Sequence, residues 1–454
     1  MNTSHEDIRH RRCARALVFM GLVLLSGCSR EPVYLMPTPE IMRDERFDVF
    51  SNNPYLESVD EITTYFATTR KPKKPGDPKV FSINHGGSLT LGTVTLQIGE
   101  EGDAWRSIYS KSVMPDEDDR VALKLTNTRI DASLDLVEVD EVLRLDEPSD
   151  ALALSESPAP LGPGAEKFFA ALNGDLDKSP TQVLTVFVHG ANNSFEESIA
   201  RGAQIQYFTG NADVALTYAW PSAGSIWRYG HDVRNANRSA ADFAEFLKLL
   251  SLYSTAKHIN IIGYSAGGRI VGGALTLLAD ELPESFIDSL PKSPRTINQI
   301  YLAASDEKLS KFGDNYPSYS HLVNTITVTV NPDDHVLGMA GIVGGGVRLG
   351  GAGGGKYLEK LPEDQQQRLV DLINGGNLDI VDMQINDIAG FEYSHEAWYA
   401  NPWLSSDVLI TLYLGLDPES RGLRTYQTAD DLGVWYFPEN YLSTLKDTLL
   451  EYFD

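Results

Sequence analysis

Beyond residue 165, five short apolar runs recur with helix-length segments between them: "QVLTVFVHG", "DVALTYAW", "HINIIGYS", "NQIYLAAS" and "NTITVTVN". β-Branched and other apolar residues dominate each run, the composition of strands buried on both faces. Between them, "ANRSAADFAEFLKLLSLY" carries apolar residues at helical spacing. This alternation predicts an α/β fold, a mostly parallel sheet with helices on both faces. Reactive groups in such sheets gather at the carboxyl ends of the strands, and each run here ends in a polar or glycine-rich motif.

The residues before 165 read differently. "ITTYFATTR", "LTLGTVTLQIG", "VALKLTN" and "LDLVEVDEVLRL" have strand character, so residues 61–147 form a smaller β-rich region. Its acidic run "MPDEDDR" lacks the alternating ligands and turn glycine of a calcium loop and reads as solvated. Residues 148–164 are rich in Pro, Ser, Ala and Gly and read as a linker, and residues 28–60 as an extended tether. The α/β domain then occupies residues 165–454.

Within "INIIGYSAGG", Ser265 stands between Gly263 and Gly267. With 38 glycines in the chain, a bare G-x-S-x-G arises by chance roughly 0.2–0.3 times in this length, so the setting carries the signal. A buried strand precedes the serine and a helical pattern follows it, the context of a nucleophile elbow. The glycines let the strand and helix backbones pass closely. A serine hydroxyl needs a base within reach, usually a histidine oriented by a carboxylate, and in this topology the chain order is nucleophile, acid, histidine. Only His321, His335 and His395 follow Ser265. His321 precedes the strand after which the acid should come, and His335 abuts that acid too closely, which leaves His395 as the base. For the acid, Asp333 and Asp334 follow a buried strand at the height where a carboxylate reaches a histidine, and Asp306 lies one strand earlier. Asp334 is favoured, with Asp333 and Asp306 as the alternatives, since periodicity does not decide which aspartate points inward.

Acyl transfer also needs donors for an oxyanion. The amides of Ala266, after the serine, and Ala191, after the turn glycine Gly190, are the candidates, with Asn192 as the alternative to Ala191. His189 reads as a residue that locks this loop. Trp220, Trp227 and Tyr229 could line an acyl pocket or pack as ordinary core, and Tyr264 and Asn192 complete the candidate pocket wall. "GGAGGGKY" fits G-x-x-x-x-G-K, but Tyr357 replaces the metal-binding hydroxyl. Residues 344–355 therefore read as a mobile glycine loop near the site.

Net charge is −25. A surface that acidic repels phosphate backbones, so nucleic acid is not an expected partner. Residues 1–27 combine Arg9, Arg11, Arg12 and Arg15 with an apolar stretch from Ala16 to Leu25, the pattern of a secretory signal. The ending "LSGC" resembles the bacterial lipoprotein cleavage box, which implies that Cys28 carries the lipid. Ser29 in place of aspartate then leans toward the periplasmic face of the outer membrane. With Cys13 removed, no thiol remains for a disulfide or a metal site.

"FVHGANNSFEES", "TYAWPSAGS", "GYSAGGR", "LAASDEKL", "VNPDDHVLGMAGIVGGGVRLG" and "SHEAW" occur in an order and spacing that resemble a bacterial group of α/β-hydrolase-fold, esterase/lipase-like proteins of largely unassigned function. The likeness runs from about residue 64 to 410. It implies an α/β-hydrolase fold with Ser265, Asp334 and His395 as the triad. Tyr264, Ala266, Gly268 and Ala191 depart from the residues usual in that group, so the pocket is expected to differ. The expectation is a lipid-anchored envelope serine hydrolase acting on a small-molecule or lipid ester through an acyl-enzyme, with no metal or organic cofactor implied. Amide or thioester cleavage by the same apparatus, or a binding protein with an idle serine, are the alternatives.

Overall fold

The computed structural model describes residues 32–43, 60–74, 77–113, 115, 118–136, 160–210, 213–223, 228–281, 297–352, 362–375, 377–383, 395–427 and 433–453. Cys28 and the signal lie outside them, as do Trp227 and Tyr357. The described part of the tether, residues 32–43 and 60, is packed rather than extended, a correction to the tether expected there. Leu35, Met36, Ile41 and Met42 are buried, and the Ile41 amide donates to Ser406 Oγ at 3.1 Å. Of the linker, residues 160–164 are described, the last two opening the helix Pro163–Leu176. Beyond the two-residue strand Val33–Tyr34, three long strands come first: β1 (Glu61–Lys74), β2 (Asp77–Ile98) and β3 (Ala122–Asp135). The five apolar runs are β4 (Val183–Val188), β5 (Val214–Tyr218), β6 (His258–Tyr264), β7 (Ile297–Ala303) and β8 (Val323–Val330). Apolar patterning did not signal β9 (Leu378–Asp382), β10 (Arg424–Gln427) or β11 (Gly433–Tyr436). "LDIVD" is only partly buried and interleaves acids with its aliphatics, so it lacks the uniform run that marks an inner strand.

These strands form one sheet in the order β3-β2-β1-β5-β4-β6-β7-β8-β9-β11-β10. Pairing is parallel from β1 to β11, and antiparallel at the ends, where β1, β2 and β3 form a meander and β10 pairs with β11. The mostly parallel α/β sheet expected above is therefore present. The β-rich N-terminal residues extend it, since β1 pairs with β5 from Tyr65↔Leu216 to Ala67↔Tyr218. Thr64 and Thr68 reinforce that seam by donating their hydroxyls to the carbonyls of Ala215 and Ala219.

Side chains alternate between the faces of the sheet with the period of two that a strand imposes. Val186, Val188, Ile261 and Leu302 point to one face, where they join Phe168 of α1 (Pro163–Leu176), Phe243 of α3 (Tyr229–Tyr253), Ile270 of α4 (Ala266–Glu281) and Phe312 of α5 (Leu309–Tyr319). Phe187, Ile262 and Tyr301 point to the other. They meet Ile205 of α2 (Phe195–Phe208), Trp398 of α7 (Ala397–Ala400), and Val408 and Leu412 of α8 (Pro402–Leu414). Between α5 and α7 lies α6 (His335–Gly344). α2 starts with a capping box written in "SFEE": Ser194 Oγ accepts from the Glu197 amide at 3.1 Å, and Glu197 returns the bond to the Ser194 amide.

One fully buried ion pair fastens α8 to the sheet. Arg421 Nη1 donates to both carboxylate oxygens of Asp407, at 3.0 and 2.9 Å, and Tyr301 of β7 donates its hydroxyl to the same carboxylate. Removing one partner strands a charge in the core. Arg421→Ala should therefore cost about 3–5 kcal/mol of unfolding free energy, measured as the shift in the urea midpoint.

Glu307 presents the opposite case. It is fully buried against α4, and among the described residues neither carboxylate oxygen has a hydrogen-bond partner. A methyl group at Gly272 would come within 2.5 Å of Glu307 Oε2, so only glycine lets the carboxyl lie there. Burial pushes its pKa up to about 7. A carboxyl whose folded pKa exceeds its unfolded value stabilises the protein below the unfolded pKa and costs stability as pH rises through the folded one. Folding stability should thus fall between about pH 4.5 and 7, and Glu307→Gln should raise the denaturation midpoint more at pH 8 than at pH 5.

Candidate active site

The strand β6 ends in a residue with an unusual backbone. Ser265 has φ of +52°, in the left-handed region that L-residues avoid. Two hydrogen bonds hold it there: its amide donates to the Ala303 carbonyl at 2.9 Å, and its carbonyl accepts from the Asp306 amide at 3.0 Å. Asn192 and Ala304, at the ends of the flanking strands β4 and β7, also have positive φ, of +60° and +45°. Backbone outliers of this kind cost on the order of 1–3 kcal/mol each and persist only where the surroundings over-determine them. The expected role of the glycines holds in space. A Cβ on Gly267 would lie 2.1 Å from the Val188 carbonyl oxygen, and one on Gly190 would lie 3.0 Å from Ser265 Cβ.

Asp334 sits past β8, as the N-cap of α6. Its Oδ1 accepts from the amides of Val336 and Leu337 at 2.9 and 3.0 Å, and its Oδ2 lies 2.7 Å from His395 Nδ1. A carboxylate can only accept, so this bond places the imidazole proton on Nδ1 and leaves Nε2 as the lone-pair nitrogen. The imidazole ring packs against Tyr264, the chain neighbour of Ser265, with centroids 5.3 Å apart. Asp333 is exposed beside Asp334, and its amide donates to Asn331 Oδ1. Asp306 is occupied elsewhere. It is buried, lies 3.0 Å from Arg269 Nε and 3.2 Å from Arg348 Nε, and accepts from the Tyr229 hydroxyl at 2.7 Å. Of the candidate acids, Asp334 is the one bonded to His395.

The loop after β4 runs beside the elbow. Among the described residues, the amides of Ala191 and Ala266 have no intramolecular acceptor, whereas the Asn192 amide donates to Asp232 Oδ2 at 3.0 Å. Asp232 is a buried residue that sequence reasoning missed; it also accepts from Ser222 Oγ at 3.0 Å and from the Ala223 amide at 2.6 Å. A second missed residue is Arg70 of β1, which donates to the carbonyls of Asn193 at 2.9 Å and Ser222 at 3.2 Å. Neither belongs to a motif, so no signal in the sequence marks them. His189 locks the loop as expected. It is fully buried, stacked on Trp220 with centroids 5.1 Å apart, and burial holds its pKa well below the usual histidine range. Trp220 has no exposed surface and donates its indole N–H to the His189 carbonyl at 2.7 Å, which commits the ring to bracing the loop. Tyr264 is likewise buried; Asn192 is exposed at the loop tip.

The described part of the glycine segment is tied down. Gly350 donates to the Ser305 carbonyl at 2.9 Å and accepts from the Asn331 amide at 2.7 Å. It bridges the ends of β7 and β8; residues 353–357 of "GGAGGGKY" lie outside the described residues. A cavity of about 480 Å³ lies apart from these residues, between β2, α3 and α4, where His85 Nε2 donates to Asp242 Oδ2 at 2.6 Å. Its lining shares no residue with the Ser265 site. Among the described residues no group of three or more His, Cys, Asp or Glu side chains could hold a metal ion, and no helix is long and apolar enough to cross a membrane.

Comparison with solved structures finds a lipase-esterase related protein from Clostridium acetobutylicum, 15% identical over 52% of this chain and 96% of its own, with a TM-score of 0.24. It also finds a poly(3-hydroxybutyrate) depolymerase from Bordetella parapertussis, 16% identical over 52% of this chain and 80% of its own, with a TM-score of 0.27. No curated protein matches. Residues 165–409 match the family model described as alpha/beta hydrolase of unknown function (DUF900), and the chain belongs to that family.

Proposed function

We propose that the chain is a serine hydrolase of carboxylic esters in which Ser265, Asp334 and His395 act as a triad. The observation that carries this reading is the 2.7 Å contact between His395 Nδ1 and an Asp334 held by its own helix cap, with the imidazole packed on Tyr264, the chain neighbour of a serine at a strained strand-to-helix turn. His395 Nε2 takes the proton of Ser265 Oγ as that oxygen attacks the ester carbonyl carbon. The carbonyl oxygen becomes an oxyanion, received by the amides of Ala266 and Ala191, the two donors without an internal acceptor. Collapse expels the alcohol, protonated by His395. Water, deprotonated by the same nitrogen, then releases the acid and restores the serine. Val336, Met339 and Ile342 are 53%, 68% and 85% exposed on the outer side of α6, an apolar surface beside Asp334 that suits an acyl chain.

The location is part of the same proposal and rests on residues 1–29. Removal of a signal of residues 1–27 leaves Cys28 first in the chain, where its lipid tethers the enzyme at the periplasmic face of the outer membrane. Cys28→Ser should leave the protein in the soluble fraction and abolish incorporation of an alkyne fatty acid, read by in-gel fluorescence.

A fluorophosphonate probe should label soluble protein comprising residues 29–454, and Ser265→Ala should lose the label while keeping its unfolding midpoint. Absence of labelling in folded wild-type protein would favour an idle binding scaffold instead. Asp334→Asn should lower kcat by about 10³–10⁴-fold, measured on a panel of short- and long-chain esters.

A further inference from the structure

Resting on the proposed triad, we infer that Arg201, Glu396 and Tyr264 are positioning residues that set the orientation and charge environment of His395. Glu396 follows the base in the chain, and its carboxylate lies 3.1 Å from Arg201 Nη2, which reaches across from α2. The Arg201 guanidinium lies over the Tyr399 ring at 4.9 Å. Tyr264 closes the group, with its ring 5.3 Å from His395, 5.5 Å from Trp398 and 6.4 Å from Tyr399. Burial raises the pKa of both phenols, so they stay neutral and leave Arg201 and Glu396 as the charged partners of this aromatic group among the described residues. On its other side the imidazole meets Asp334, with Asp333 and His335 exposed to solvent next to it.

The arrangement divides two tasks. The aromatic rings fix the plane of the imidazole against the nucleophile strand, and the guanidinium cancels a carboxylate that would otherwise favour the imidazolium and withdraw the base. Because Glu396 is half exposed, at 49% of its side chain, solvent screens its charge and the effect is moderate.

The test follows the second-order rate of fluorophosphonate inactivation against pH, which needs no knowledge of the natural ester. Arg201→Leu should move the acid limb to higher pH by about half a unit or more. Glu396→Gln should move it to lower pH, and the double variant should return it close to wild type. Tyr264→Phe should retain most of the rate, whereas Tyr264→Leu should lower it at least tenfold at every pH. Unfolding midpoints exclude misfolded variants. A lost rate without a moved limb in both Arg201→Leu and Glu396→Gln would mean a merely structural pair and overturn the inference. Should Arg201→Leu fail to fold, an unmoved limb in Glu396→Gln alone overturns it. Failure of folded wild-type protein to react at any pH would instead overturn the triad itself.

Discussion

Asp334 answers two demands with one carboxylate. Its first oxygen caps α6, and its second holds His395. The backbone amides of α6 fix the side chain before any histidine arrives, so the acid is preorganised by local structure. The histidine belongs to a distant segment and is positioned by what it meets: this carboxylate on one edge, the Tyr264 ring on a face. A long-range site is thereby anchored to a short-range motif.

Much of this was legible in advance. Uniform β-branched runs announce strands buried on both faces, and β4 to β8 lie where those runs fall. The glycines around Ser265 marked the elbow because close backbone approach leaves no alternative at Gly267. The choice among Asp306, Asp333 and Asp334 was not decidable from pattern alone. Periodicity stops at the end of a strand, and direction there depends on a turn in which Asn331 accepts from the amides of Asp333 and Asp334. Asp306 follows the neighbouring strand at a similar height but is spent on two arginines, a fact that resides in contacts across some forty residues of chain. Asp232 looks in sequence like any acid in the first turn of a helix. Only burial reveals that it organises the loop.

The charges around the elbow follow one logic. Asp306 lies between two guanidiniums, hydrogen-bonded to Arg269 and 3.2 Å from Arg348 Nε, so its desolvation is partly offset. Glu307, the next residue, has no such partner among the described residues, and burial therefore favours its neutral form. Adjacent carboxyls in one turn thus have different surroundings, one bonded to a guanidinium and the other buried without a hydrogen-bond partner among the described residues.

The guanidinium of Arg70 comes from the first strand of the sheet, yet it ends on the loop that carries Ala191. The family match begins at residue 165. The matched stretch and the support of the loop therefore have different borders: a chain trimmed to residues 165–409 would keep every proposed reacting group and lose the strut under the loop proposed to receive the oxyanion. The N-terminal meander is thus part of the frame that holds this loop in place.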